Sequence, residues 1–236
     1  MPGCMLYATE VQLTLPGSAE CQANGLKDSS GTINSDGTAN PGALVDKYKN
    51  SSDGVYLGIN NKLSNPISGE TENEGNWVYN ADNKTGQVTL CGRYNAKGEN
   101  LTLVFSPTDF VANDKISSIT LSATGNATFN SAFKQYGLVV AIVDASGNIM
   151  GQKSTNYTSG TVGTKMSTTL NFDNALLWQD GYKVIAGIVG PQGDGTTEYT
   201  IQNINVSAIT VPEPATATLS LMALAGLCAR RRRQRV

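Results

Sequence analysis

Residues 138–143 read Leu-Val-Val-Ala-Ile-Val, an uninterrupted apolar run that ends at the turn-forming sequence Asp-Ala-Ser-Gly of residues 144–147. A continuous apolar run of this length, bounded by turn residues, predicts a central strand that is covered on both faces. Residues 183–189, which end at Gly190-Pro191, have the same pattern. The sequence therefore predicts two buried strands around which the other strands are arranged.

Apolar and polar residues alternate in most other segments, which is the pattern of a strand with one face in solvent. Such segments lie at residues 11–15, 55–59, 88–90, 101–105, 119–123, 166–172 and 199–208. In the last of them the inward positions change from Tyr199 and Ile201 to Ile204 and Val206. A period of two cannot change phase without an extra residue, so a β-bulge or corner is predicted near Gln202-Asn203.

Few segments suggest helices. A short helix is predicted at residues 43–48, and Phe129, Ala132, Phe133 and Tyr136 also have helical spacing. About ten short strands and no internal repeat predict an all-β, jelly-roll-like two-sheet sandwich, with an eight-stranded barrel as the alternative. No proline-rich linker divides the body, so the predicted domains are an N-terminal remnant at 1–10, a sandwich at 11–210 and a separate C-terminal segment at 211–236.

The composition fits an exported, turn-rich β protein, since charged residues make up only 15% of the chain and glycine contributes 25 residues. Residues 1–210 contain 12 basic and 18 acidic residues, a net charge of about -6. An acidic body is a poor partner for nucleic acid, and we expect none to bind.

The chain has no histidine. This excludes Ser-His-Asp and Cys-His nucleophile systems and histidine-ligated zinc hydrolysis. Two functions remain. The first is a non-catalytic surface or matrix protein that binds extracellular polysaccharide through exposed aromatic residues. Trp77 and Tyr79 are the main candidates, and Tyr94 and Trp178 are further ones. The second is a glycan-active hydrolase that uses acidic residues, from Glu70, Glu72 and Glu74 or from Asp194 and Glu198.

Two further features of the body are cysteine pairing and calcium. Export through an oxidising compartment would allow a disulfide between Cys21 and Cys91, worth roughly 4 kcal/mol in the chain-entropy model, although two separate thiols are the alternative. Asp28 and Asp36, with nearby serine and asparagine oxygens, could hold calcium, but the spacing of an EF-hand is absent and plain turns are favoured. No other cofactor or metal is predicted.

The C-terminal segment has three parts. Residues 211–214 are Val-Pro-Glu-Pro, residues 215–229 carry no charge, and Arg230, Arg231, Arg232, Arg233 and Arg235 follow. As a helix, 215–229 would reach roughly 22 Å against a hydrocarbon core of about 30 Å, so the arginines must extend to the headgroups to complete a short transmembrane span. The positive-inside rule keeps them in the cytoplasm, and the body then faces outward.

These three parts occur in the order of the PEP-CTERM protein-sorting segment of Gram-negative envelope proteins, and residues 211–236 resemble it. The resemblance implies that Pro212, Glu213 and Pro214 form the sorting motif and that the arginines form a membrane stop. It also implies that an integral-membrane exosortase removes the segment and leaves the domain at the cell surface or outside the cell. Because residues 1–15 have no basic-then-apolar export signal, the natural reading frame is expected to begin upstream of Met1.

Overall fold

The computed structural model describes residues 8–17, 19–21, 31–58, 76–91, 100–126, 135–158, 163–190 and 199–211. Within these ranges it contains twelve strands and one helix. They are β1 (Thr9–Gln12), β2 (Ala19–Cys21), α1 (Gly42–Tyr48), β3 (Gly54–Gly58), β4 (Asn76–Ala81), β5 (Gly86–Cys91), β6 (Asn100–Phe105), β7 (Lys115–Asn126), β8 (Gln135–Val143), β9 (Ile149–Thr158), β10 (Thr164–Leu177), β11 (Lys183–Val189) and β12 (Tyr199–Val211).

The strands form two antiparallel sheets. The first has the order β10-β7-β12-β5-β4-β2, with β1 also paired to β12 beyond the end of β5. The second has the order β3-β6-β11-β8-β9. The structure therefore confirms an all-β protein with two antiparallel sheets, as predicted. A jelly-roll connection is not established by this strand order and stays a prediction.

The main apolar core lies between the two sheets. Ile119 and Leu121 of β7 approach it from the seven-stranded sheet, and Leu138 and Val140 of β8 approach it from the five-stranded sheet; all four are fully buried. From Ser118 to Asn126, buried and partly exposed residues alternate along β7, so that Ser118, Thr120 and Ser122 lie on the face away from the core.

A second apolar layer covers the outer face of the five-stranded sheet. Leu44, Val45 and Tyr48 of α1 are buried there, in one cluster with Val139 of β8 and Ile185 of β11. This explains why β8 and β11 are apolar on both faces, which confirms both predictions. The helix predicted at 43–48 is also confirmed.

The prediction for residues 101–105 was wrong in one respect. Alternation suggested a half-buried strand, but every residue of β6 is buried. Leu101 and Leu103 face the core between the sheets, whereas Val104 belongs to the layer under α1. Thr102, which looked solvent-facing in the sequence, is fully buried.

The predicted bulge is present in β12. The register of β12 against β7 shifts between Gln202 and Asn205, and its register against β5 shifts between Ile201 and Ile204. Asn203 has φ of +52°, a conformation that asparagine tolerates better than most residues. Both Ile201 and Ile204 consequently remain buried in the core.

The structure differs from the sequence predictions at two other places. Strand β9 was missed, because this edge strand is largely exposed and polar and has no sustained apolar alternation. The helical spacing at 129–136 was misleading at its end, since Tyr136 lies in β8; Phe129, Ala132 and Phe133 lie outside the described residues. No helix within the described ranges is long and apolar enough to cross a bilayer. The helix predicted at 215–229 lies outside those ranges.

Candidate functional site

A polar groove lies on the outer face of the seven-stranded sheet, around the β12 bulge. It consists of two adjoining depressions of about 530 Å³ and 380 Å³ that share Thr85 and Asn203. The first is lined by Glu10, Gln12, Thr85, Ser122, Asn203, Asn205 and Ser207, and the second by Asn80, Ala81, Asp82, Thr85, Gly86, Gln87, Gln202 and Asn203. We call the two together the amide groove, because six of the thirteen lining residues are asparagine or glutamine.

The bulge positions the amides at the centre of the groove. Asn203 is the exposed extra residue, and its Nδ2 lies 3.4 Å from Oγ1 of Thr124. Asn205 Nδ2 and Gln12 Nε2 both donate hydrogen bonds to the backbone oxygen of Lys84, over 3.2 Å and 3.3 Å. These bonds hold the β4–β5 turn against β12 and fix that wall of the groove.

A salt bridge between Lys84 and Asp109 also holds the β4–β5 turn in place. Lys84 Nζ lies 2.5 Å from Asp109 Oδ1, and the backbone N–H of Thr14 donates to Asp109 Oδ2 over 2.6 Å. Burial alone would raise the pKa of Asp109, but the hydrogen bonds from Lys84 and Thr14, together with the charge of Lys84, outweigh it and keep that pKa below its ordinary value. Asp109 is therefore a structural carboxylate.

The groove presents hydrogen-bond donors and acceptors side by side. Carboxamides carry both donors and acceptors, and hydroxyl groups can act as either. Of the carboxylates in the groove, Asp82 accepts a hydrogen bond of 2.9 Å from the backbone N–H of Thr85 within the turn. The sequence reasoning did not identify the groove, although its prediction of a bulge near Gln202-Asn203 located the centre.

The aromatic candidates do not form an exposed platform in the described residues. Tyr79 is fully buried, with its hydroxyl 3.4 Å from the backbone oxygen of Pro16, and burial raises its pKa well above the ordinary value. Trp178 is buried against the rings of Phe110 and Tyr182. The interpretation of Tyr79 as a glycan contact is thus wrong, because alternation placed its side chain in the core. The side chain of Trp77 and the whole of Tyr94 lie outside the part of the chain that the structure describes.

Most of the acidic residues suggested for catalysis or calcium binding lie outside the described residues. They are Glu70, Glu72, Glu74, Asp194, Glu198 and Asp28. Asp36 lies in an exposed turn, where its carboxylate accepts hydrogen bonds from the hydroxyl and the backbone N–H of Thr38, over 2.6 Å and 3.0 Å. These bonds hold the pKa of Asp36 below its usual value. No cluster of three metal-ligating residues occurs among the residues that the structure describes.

The strand pairing does not support the predicted disulfide. Cys21 of β2 is opposite Trp77 of β4, whereas Cys91 of β5 is opposite Asn76 on the other edge of β4. Two strand spacings, roughly 9.5 Å, therefore separate the strands that carry the thiols, and a disulfide needs Cα atoms within about 7 Å. The alternative of two separate thiols fits this register.

The C-terminal segment begins directly at the end of the folded body. β12 is an internal strand of the seven-stranded sheet and ends at Val211, whose side chain is 37% exposed. Pro212, Glu213 and Pro214 come next in the chain. They lie outside the described residues, as do Arg230, Arg231, Arg232, Arg233 and Arg235.

Comparison with known families identifies this segment. Residues 210–233 match the PEP-CTERM protein-sorting motif. The motif implies an exported protein of the cell envelope that is processed by an exosortase. Its match begins within the last two residues of β12 and extends through the arginines to Arg233. No curated protein matches the sequence.

Three solved structures show weak similarity to the sandwich. An arabinose-bound MgGH51 α-L-arabinofuranosidase is 13% identical, with a TM-score of 0.35, over 56% of this chain and 22% of its own. A cyclase from Fischerella sp. TAU is 11% identical, with a TM-score of 0.36, over 86% of this chain and 89% of its own. The CBM22-2 xylan-binding domain of Paenibacillus barcinonensis Xyn10C is 9% identical, with a TM-score of 0.30, over 67% and 89%.

Proposed function

We propose that this protein is a non-catalytic surface or matrix protein whose β-sandwich, at residues 11–210, is carried outward on a membrane-anchored precursor. An exosortase then removes the segment 211–236, with its membrane helix at 215–229. The observation that carries this proposal is the PEP-CTERM match at residues 210–233, which starts where β12 ends. Cleavage after the Pro-Glu-Pro motif would leave every residue of β12 in the mature domain.

Analysis of the mature C-terminus tests this proposal. The full chain, expressed behind a signal peptide in a host with a working exosortase, should reach the cell surface or the medium without its arginine cluster. Mass spectrometry of the recovered protein would identify the last residue. Surface protein that still contains peptides from 215–236 would contradict processing. A chain truncated after Val211 is the control, because it should be exported without any membrane-bound precursor.

The amide groove favours glycan binding as the more specific function of the sandwich. Eleven of its thirteen lining residues have amide, hydroxyl or carboxylate side chains, and Gln12 and Asn205 are held in place by hydrogen bonds to the backbone oxygen of Lys84. Preorganised polar groups of this kind lose little side-chain entropy when a ligand binds. Binding here would rest on hydrogen bonds, and it needs no contribution from Tyr79.

Substitution of Asn203 by glycine tests the groove. Glycine accepts the positive φ of this position, so the bulge should survive while the amide is lost. If a glycan array identifies a ligand, the Asn203→Gly variant should bind it about tenfold more weakly, as expected for the loss of one or two hydrogen bonds. Asn113→Gly is a matched control, because Asn113 is also exposed at positive φ but lies outside the groove. Equal binding by all three proteins would exclude the groove as the site.

The alternative function is a glycan-active hydrolase. A glycosidase needs two carboxyl groups roughly 5 to 9.5 Å apart across a cleft. Incubation with a broad panel of glycans in solution distinguishes the two functions, because hydrolysis would release reducing sugar and binding without turnover would not.

A further inference from the structure

The large apolar side chains that the described residues expose are found at one end of the sandwich. They are Val111, Ile149, Met150, Leu177 and Val211, which are between 37% and 68% exposed. Single exposed apolar residues are normal on a protein surface, and the observation of interest is that these five share one end of the sandwich. We call this set the exit end, because the sorting segment leaves the body there.

Strand pairing places two of these residues, Leu177 and Val211, on either side of the same β7 residue in the seven-stranded sheet, and Val111 lies in the loop before β7. Lys115, the first residue of β7, is opposite Leu177, the last residue of β10, and is also opposite Val211, the last residue of β12. Directly paired residues share a face of the sheet. The loop that contains Val111 is held to the segment after β10 by a 2.9 Å hydrogen bond from the N–H of Asn113 to the backbone oxygen of Trp178.

The five-stranded sheet contributes the other two residues. Residues 178–182 connect the end of β10 to the start of β11, so both sheets present these strand ends on the same side. Lys183, the first residue of β11, is opposite Val143, and Val143 is opposite Ile149 at the start of β9. Met150 is the extra residue where the β8–β9 register shifts. Both residues thus belong to the exit end.

We propose that the exit end rests on the headgroup layer of the membrane that holds the uncleaved tail. This inference rests on the proposed function, because it requires residues 215–229 to lie in that membrane. From Val211 to Ala215 the chain covers at most about 14 Å even when fully extended. The headgroup layer is about 5 to 8 Å deep on each side. The end of β12 therefore lies within or just above the headgroups.

The charges around the exit end favour an apolar contact. Asp114, Asp144 and Asp180 lie in its loops, and Lys115 and Lys183 lie on its strands. This mixture lacks the basic cluster that binds anionic lipids. Contact with a bilayer surface therefore depends on the tether and the exposed apolar side chains, and anionic lipid is not required. Release of the tail would remove the tether and free the domain from the surface.

Fluorescence from two positions on the same strand tests the inference. In the full chain, with its four native cysteines replaced by alanine, an environment-sensitive dye is attached at Met150→Cys or at Thr158→Cys. Thr158 is the exposed opposite end of β9, roughly 26 Å from Met150. The protein is reconstituted into phosphatidylethanolamine and phosphatidylglycerol vesicles, with and without lipids that carry a nitroxide on the headgroup. Flotation reports separately whether the chain is anchored.

We expect the chain to float, with dye emission at position 150 shifted to shorter wavelength and quenched by the nitroxide much more strongly than at position 158. Flotation with equal quenching at both positions would overturn the contact and leave the anchor in place. A shift at position 150 without quenching would mean a protein partner in place of lipid, and would also overturn it. Failure to float would refute the membrane anchor of the proposed function, and the contact with it.

Discussion

Substitution of Tyr136 by alanine should lower the free energy of unfolding by about 3 to 5 kcal/mol, the usual cost of removing a fully buried aromatic ring. Tyr136 has no exposed surface and belongs to the core between the sheets. Its ring extends from β8 to Gly125 of β7, where a Cβ atom would lie only 2.6 Å from the ring. Thermal unfolding should show a melting temperature about 10 °C lower. Tyr136→Phe is the control, because it keeps the ring and should cost much less.

A double-mutant cycle makes this prediction specific to the contact with Gly125. In the native background, Gly125→Ala should cost about 1 to 3 kcal/mol, because the new methyl group overlaps the ring. In the Tyr136→Ala background, the same change should be neutral or stabilising, since alanine loses less backbone entropy than glycine. If Gly125→Ala has the same effect in both backgrounds, the ring does not lie against this glycine.

Hydrophobic periodicity predicted the parts of the fold that depend on burial. The apolar runs at residues 138–143 and 183–189 are internal strands covered on both faces, and the phase change in β12 is a bulge. These predictions succeeded because buried strand positions must be apolar and because the side-chain period of a strand is fixed at two. In these segments the requirement that buried positions be apolar determines both the sequence pattern and the packing.

Features without a burial signal were harder to predict. β9 lies at an edge of its sheet, and most of its residues are exposed, so no periodic pattern marks it. The sequence predicted α1 as a helix, but it did not show that α1 covers Val104 of β6. Which strands are neighbours also depends on contacts between residues distant in the sequence, and for that reason spacing could not show that β4 separates Cys21 from Cys91.

In the candidate site, too, buried residues follow the hydrophobic period and exposed polar residues do not. Tyr79 was proposed as an exposed aromatic, but Tyr79 alternates in phase with the core and its ring covers Gly86. The amide groove is assembled from β1, β4, β5, β7 and β12 together with the β4–β5 turn, so its members are spread from Glu10 to Ser207. Surface polar residues carry no periodic signal, and only their three-dimensional assembly identifies them as a group.

Reversal of the arginine charge should abolish processing of the sorting segment. In the native chain, Arg230 to Arg233 supply four positive charges directly after the uncharged stretch 215–229. Cytoplasmic retention of lysine and arginine fixes the orientation of a short span, whereas acidic residues contribute little to it. With glutamate at all four positions, the chain should lose its fixed orientation, and the Pro-Glu-Pro motif should no longer be presented at the outer interface.

The two prolines of the motif determine where a membrane helix can begin. Pro212 and Pro214 have no amide donor, and each disfavours helix in the residue before it, so residues 211–213 are expected to be extended. A membrane helix can then begin only after Pro214. A span of about 22 Å, held at its cytoplasmic end by arginine, would leave the motif close to the outer interface, within reach of a membrane-embedded exosortase.

Immunoblotting of fractionated cells that contain an exosortase would measure the outcome. The glutamate variant should accumulate as full-length precursor, whether in the membrane or mislocalised, whereas the native chain yields the shortened form. Lysine at the same four positions is the matched control, because it preserves the charge and should permit processing. Normal processing of the glutamate variant would show that the arginines do not set the orientation. Failure of the lysine variant alone would show that the guanidinium groups themselves are recognised, since lysine cannot reproduce their planar arrangement of donors.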